Sequence, residues 1–412
     1  MSNLKSETGP RLGEFVAMMA LMTSLVAMSI DAMLPALSEI GAELGVQRVN
    51  DNQLILTTLF IGLAVGQLFY GALSDTIGRK RAIYLGYGVF FAGSLLSIFA
   101  VSFPMMLAGR LLQGLGAAGP RGVSMALIRD RFEGRAMAQV MSFISVVFIL
   151  VPIIAPILGQ AILLVADWRA IFSALLVMGV ISLLWFALRQ PETLPPARRA
   201  PFSARRIARA LVEVLTNPVA LGYTLMAGLI SGALQGYLSS AQQIFQFQYG
   251  LGTLFPLVFA INALSLGLAS FVNGRVVMRY GMRPLVRKAL LALCTLSILL
   301  VGVALATDGQ PPLPLLMIFL LPSFFCIGIL FGNMNSLAME PLGHIAGVGA
   351  AVVGSLSTLV ATPLGAGIGQ VYNETVLPLV LGFAAFGLGA LLLMRWAEGA
   401  RAAAARRAQP TG

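Results

Sequence analysis

A segment buried in lipid must satisfy its own backbone hydrogen bonds, so a chain built from long apolar runs can only become a bundle of helices or a closed barrel. This chain holds twelve such runs, at 13–36, 53–73, 82–103, 105–127, 137–164, 169–188, 217–240, 252–275, 285–306, 313–337, 346–371 and 376–396. At about 1.5 Å rise per residue each is matched to a hydrocarbon layer of about 30 Å, and each is about twice the length of a barrel strand. Helices are therefore expected. Only 10% of the residues are charged and 58% are hydrophobic, against about a quarter charged in soluble domains. The predicted fold is an all-α integral membrane protein with twelve transmembrane helices.

The net charge of +11 would suit nucleic acid, but its location gives it another meaning. Of the 27 Lys and Arg residues, 23 fall in one set of alternating connections, including Arg79–Arg81, Arg129, Arg131, Arg135, six from Arg189 to Arg209 and five from Arg275 to Lys288. Only Arg48 and Arg169 lie on the other side, and Arg110 and Arg121 lie within spans. The positive-inside rule then places both termini and the basic connections in the cytoplasm, with no nucleic-acid partner. Cys294 and Cys326 sit inside spans, and His344 is the only histidine. Neither a disulfide framework, a zinc site nor histidine-based catalysis is expected, and no enzyme chemistry is required. The first run has no small-residue cleavage pattern and reads as a retained helix.

Between the second and third runs lies Gly71-Ala-Leu-Ser-Asp75-Thr-Ile-Gly78-Arg79-Lys80-Arg81, a short charged turn. A weaker copy returns as Gly274-Arg-Val-Val-Met-Arg-Tyr-Gly281-Met-Arg283, with Gly71/Gly274 and Gly78/Gly281 sharing one offset of 203 residues. Such a repeat implies two similar six-helix bundles. They are expected at 1–188 and 217–396, joined by a basic, proline-rich linker at 189–216 and followed by a tail at 397–412. The linker stretch Arg198–Arg209 reads as an amphipathic helix on an anionic membrane surface.

Four features are candidates for function. Asp31, in Ser29-Ile-Asp31-Ala-Met-Leu-Pro35, is the one carboxylate placed inside any span; such a group needs a proton, a cation or water, unless it merely caps the segment at Pro35. In the fourth span Arg110, Gln113 and Arg121 follow one helix face, because eleven residues at about 100° return Arg121 to within about 20° of Arg110. Both guanidinium groups are expected to look into one interior cavity with Asp31 and Gln235, the alternative being that Arg121 snorkels to the surface. Pro152, Pro156 and Gly159 favour a bend in the fifth span. Finally, Gly71 and Gly78 allow a sharp turn on which Asp75 and Arg79 can pair with neighbouring helix ends and close the cytoplasmic side. Trp168 reads as an interfacial anchor.

With these residues laid out, the sequence resembles the major facilitator superfamily, and within it the bicyclomycin/chloramphenicol-resistance (Bcr/CflA) branch of the drug:proton antiporters. Gly71–Ile83 is similar to the family's loop motif, Leu107–Ala118 to its fourth-span arginine motif and Pro152–Gly159 to a variant of the antiporter motif. The variant has Ala155-Pro156 and Gly159-Gln160 where many antiporters have Gly-Pro and a glycine pair, and Arg121 matches no motif position. The resemblance implies a transporter with a central cavity opening alternately to each side, Asp130 as partner of Arg79, and multidrug efflux from a bacterial inner membrane. It also implies a monomer that exchanges protons for a small molecule, driven by the proton gradient without a cofactor. Asp31 would carry the proton and Arg110 would tune it. The alternatives are a proton-coupled transporter of one physiological metabolite and, more remotely, a receptor or channel.

Overall fold

The computed structural model describes residues 9–408, apart from a few side chains at 135–149 and 405–408. Lys5 and positions 409–412 of the expected tail lie outside the described residues. The first half contains α1 (Leu12–Asp31), α2 (Leu37–Glu43), α3 (Leu54–Ile77), α4 (Arg79–Ile98), α5 (Phe103–Arg131), α6 (Gly134–Leu163) and α7 (Arg169–Arg189). The linker holds α8 (Ala204–Thr216). The second half contains α9 (Pro218–Ala241), α10 (Phe255–Tyr280), α11 (Met282–Ala306), α12 (Leu313–Met339), α13 (Ala346–Gln370) and α14 (Leu377–Ala408). With the short α2 and α8 set aside, the other helices correspond one to one with the apolar runs.

By length and composition, nine stretches among the described residues are apolar enough to cross a membrane, and one of them, Leu313–Gln370, holds both α12 and α13. Helix α5 falls outside this set because Arg110, Gln113, Arg121 and a run of glycines dilute its apolar residues. Those glycines serve packing. A side chain at Gly62 of α3 would strike the Leu111 carbonyl, and one at Gly114 of α5 would strike the Leu59 carbonyl, so the two backbones touch directly. Such contact is a main source of helix association where lipid removes the hydrophobic drive. In the second half α9 packs on α13, with Gly365 against Gln235 and Gly236. The halves meet where α3 lies on α13 and α6 on α10.

The repeat is visible in the backbone. Gly78 ends α3 and opens α4 at φ 100°, and Gly281 ends α10 and opens α11 at φ 78°. Both dihedrals lie where only glycine sits without strain. Residues 397–408 of the tail are helical and continue α14; Ala and Arg favour helix, and Glu398 is anchored there by Arg283 and Tyr223. Two local features differ from expectation. Helix α1 stops at Asp31, and the chain passes through a 3-10 turn at Leu34–Ala36, with Pro35, before α2 begins. Trp168, expected at an interface, is fully buried with its indole N–H on Glu43 Oε2 at 2.6 Å.

Candidate functional site

The candidate site is built around the end of α1. Asp31 is its last residue and is 5% exposed. It is the only carboxylate among the buried groups of the described residues and has no hydrogen bond or ion pair there. Across from it, within electrostatic reach, is Tyr237 of α9. Tyr237 accepts a hydrogen bond from Asn262 at 3.2 Å and sits in a cluster of rings, with centroids 4.6 Å from Phe324 and 5.7 Å from Phe259. One half therefore contributes an acid, and the other an aromatic wall. Helix α6 closes on the same place: a side chain at Gly159 would collide with the Ala32 carbonyl. Pro152 and Pro156 lie inside α6, which runs unbroken through both.

Arg110 is 0% exposed. Its Nη2 donates to the Ser29 carbonyl at 2.8 Å and its Nε to the Ile55 carbonyl at 3.2 Å, while Nη1 donates to Gln113 Oε1. Gln113 in turn donates to Ser94 Oγ at 3.0 Å. Carbonyls in the last turn of a helix lack donors within it. Arg110 supplies one to α1, two residues before Asp31.

The expected convergence of Arg110 and Arg121 on one interior is not found. Arg110 and Gln113 are consumed in packing inside the first half, while Arg121 lines a cavity at the basic end. Helical phase puts the two arginines on one face, but eleven residues also separate them by about 16 Å along the axis. Gln235 is buried beside Gly365, with its amide making no hydrogen bond among the described residues.

At the basic end Arg79 is the hub. Its Nη1 reaches Asp75 at 2.5 Å and Ser74 at 2.7 Å, and its Nε reaches Asp130 at 3.0 Å. The open N–H groups of the first turn of α4 are capped from the linker: Glu192 accepts from the Arg79 amide at 3.0 Å and the Lys80 amide at 3.1 Å. Thr193 donates to Asp130 at 2.8 Å. Arg79→Ala leaves Asp75 and Asp130 without their cation, so a loss of about 2–3 kcal/mol is expected. Lys80→Ala, which removes a bond to the Ala187 carbonyl and a contact with the face of Tyr84, should cost less than Arg79→Ala, about 1 kcal/mol. Thermal unfolding in detergent measures both, and equal losses would deny Arg79 its central place. The second half repeats the device with Arg283 between Glu340 at 2.6 Å and Glu398 at 2.8 Å.

A cavity of about 250 Å³ separates the halves at this end, with Asp75, Arg79, Arg121 and Arg129 on one side and Gly347 and Val348 of α13 on the other. Deeper in, the halves touch where Ser355 Oγ donates to the Ala64 carbonyl at 2.7 Å. At the far end neutral groups stitch the halves together, beside a groove of about 840 Å³ that Asn50, Gln243 and Tyr372 also line. Asn50 donates to the carbonyls of Gln370 at 3.0 Å and Tyr372 at 2.9 Å, and Gln370 donates back to the Asn50 carbonyl at 3.0 Å. Gln243 donates to Asn50 Oδ1 at 2.7 Å, and Gln242 to the Pro35 carbonyl at 2.9 Å. These glutamines stand on a π-helical turn, Gln242–Gln248, that extends α9.

Sequence reasoning placed Asp75, Gly78, Arg79 and Asp130 together but missed Glu192, the aromatic wall and the far-end stitching. Glu192 lay in view in Pro191-Glu-Thr-Leu194. The stitching had a weaker signal, a glutamine cluster at the end of the seventh run. Among the described residues no group of three or more His, Cys, Asp or Glu could hold a metal ion.

Comparison with known proteins bears on the whole assembly. The Major Facilitator Superfamily profile matches residues 19–365. An uncharacterized MFS-type transporter, YdgK of Bacillus subtilis, is 31% identical over 377 residues, covering 90% of this chain and 92% of that one. The bicyclomycin resistance protein homolog of Haemophilus influenzae is 29% identical over 384 residues, covering 92% and 94%. The multidrug resistance protein MdtL of Escherichia coli is 28% identical over 326 residues, covering 79% and 80%. Among solved structures, a D-xylose-proton symporter superposes with a TM-score of 0.74 at 15% identity, covering 94% of this chain and 98% of that one. At that identity the likeness speaks for the fold alone.

Proposed function

The chain belongs to the Major Facilitator Superfamily, a class of membrane transporters rather than enzymes, and we propose that it exports small amphiphilic molecules or antibiotics in exchange for protons. It is a multi-pass membrane protein with bicyclomycin- and multidrug-resistance relatives. Export and proton coupling are inferences, and one observation carries them: a lone buried carboxylate, Asp31 of the first half, within electrostatic reach of Tyr237 in an aromatic cluster of the second. An acid in that place can take a proton in one state and give it up in another, while the rings accept apolar, planar or cationic ligands. Gln235, with an unbonded amide on α9 of the second half, is the further substrate contact proposed. A proton-coupled carrier of one metabolite would use the same parts, and the breadth of substrates distinguishes the two readings.

The geometry supports an alternating-access cycle. In the proposed orientation the basic end, with its cavity of about 250 Å³ between the halves, faces the cytoplasm of a bacterium, and the end where hydrogen bonds join the halves faces outward. Closing the inner cavity would carry Asp75 toward the amino end of α13, where a carboxylate is favoured by the open N–H groups and the helix dipole. Opening the outer end would break the hydrogen bonds of Asn50, Gln242 and Gln243. Each side needs only a few kcal/mol to shift the populations. Arg110 acts by fixing the end of α1 through Ser29, with Gly159 of α6 pressing on the following peptide.

Topology is tested by reporter fusions. Fusions after Arg189 and Arg401 should report cytoplasm and one after Asp308 the outside, whereas an exterior signal from the linker would invert the molecule. Function is tested by a growth-inhibition panel in an efflux-deficient host. The wild type should raise tolerance to several unrelated compounds, and Asp31→Asn, at equal expression, to none. Tolerance retained by Asp31→Asn would remove the carboxylate from the mechanism.

A further inference from the structure

The cytoplasmic ends of α11 and α14 enclose a groove of about 780 Å³ that plays no part in the transport path proposed above. Its polar rim is formed by Arg283, Arg287, Lys288 and Arg395, against a single acid, Glu398. Glu398 is already engaged by Arg283, Arg401 and the Tyr223 hydroxyl, and Arg283 is shared with Glu340. Arg287 and Arg395 are exposed and have no hydrogen bond or ion pair among the described residues; Lys288 touches only the face of Tyr280, at 5.7 Å. Three cations thus converge on one groove without an acidic partner.

The floor of the groove is apolar. Leu291, Leu391 and Met394 lie directly beneath the rim. Below them α11 continues outward-facing with Ile298 and α14 with Leu388, all exposed in the isolated chain. Trp396 stands exposed at the level of the rim, where an indole suits the headgroup region. A cationic rim above a greasy track matches a molecule with an anionic head and acyl tails, and basic pockets between transmembrane helices are a recurrent form of lipid recognition.

We propose that this groove binds an anionic phospholipid, with the phosphate held by Arg287, Lys288 and Arg395 and the acyl chains laid along Leu291 and Leu391. The site goes beyond the transport cycle and does not depend on what is transported. A free phosphate ion shares the headgroup chemistry but has nothing to place on the apolar floor.

Native mass spectrometry of the purified full-length chain in neutral detergent tests this, with phosphatidylglycerol and phosphatidylcholine of matched acyl chains as probes. The wild type should retain phosphatidylglycerol under conditions that strip phosphatidylcholine. Arg287→Gln/Lys288→Gln/Arg395→Gln should weaken retention about a hundredfold, since each surface cation is worth about a factor of five. Arg48→Gln/Arg81→Gln/Arg275→Gln removes equal charge from exposed positions outside the groove and should leave retention unchanged. Equal retention of both lipids, equal losses from the two triple variants, or displacement of the lipid by inorganic phosphate at a concentration equal to that of the lipid would each overturn the proposal. All six positions are solvent-facing arginine or lysine, and thermal unfolding checks that both variants remain folded.

Discussion

Asp31→Asn should bind substrate and let it equilibrate, yet never concentrate it. In liposomes with a pH difference of one unit, a carrier exchanging one proton for one neutral substrate can hold a gradient of about tenfold, because one pH unit is worth about 1.4 kcal/mol. The amide keeps the shape of the protonated acid but cannot release a proton. It should therefore remove the driving force and spare the cavity, so that the substrate ratio falls to unity while exchange across the membrane continues. The prediction is sharp because Asp31 is the only buried carboxylate among the described residues and has no internal cation that would make its loss a matter of folding. Asp31→Glu should retain some coupling, since the group still titrates. If Asp31→Asn sustains the wild-type gradient, the proton travels elsewhere, and Glu340, now seen paired with Arg283, would be the next group to test.

Replacing Arg110 with alanine should do different damage. Its guanidinium is wholly buried, and its donors are spent on the carbonyls of Ser29 and Ile55 and on Gln113 rather than on a carboxylate; Phe172 packs on it at 5.7 Å. Removing it strands main-chain acceptors, each at about 1–3 kcal/mol, and frees the end of α1 from α3 and α5. A loss of about 3 kcal/mol in stability and at least about tenfold in turnover is expected. Arg110→Lys separates the two effects. A lysine restores the charge but cannot span carbonyls on two helices with a rigid fork, so it should recover stability better than turnover. If Arg110→Lys transports at the wild-type rate, the fork has no role in placing Asp31. A Gln113→Leu variant should resemble a mild form of Arg110→Ala.

The contrast between these residues shows what is legible in such a sequence. Spans, repeat and basic-end motif could be read because lipid enforces them locally: an apolar run must be a helix, a glycine between helices must turn, and Arg79 needs acids near it. Gly78 and Gly281, a fixed offset apart, both adopt positive φ, as two copies of one turn require. Depth and partner choice were harder to read. Helical phase aligned Arg110 with Arg121 but did not say that one would be absorbed by carbonyls of α1 and α3 while the other met the inner cavity. Main-chain acceptors leave no trace in residue identity. The far-end stitching was invisible for a related reason, since Asn50, Gln243 and Gln370 are ordinary polar residues until tertiary packing faces them across the two halves. Nothing in the sequence pairs Tyr237 with Phe324 either, until α9 and α12 bring them together.

The exchange of a proton for substrate at Asp31 is tested most directly by proton release from purified protein in weakly buffered detergent, on adding a compound that the growth panel identifies as exported. The wild type should release protons in proportion to the substrate bound, and Asp31→Asn should bind the same compound and release none. Equal release from the two proteins would contradict the assignment of the coupling proton to Asp31.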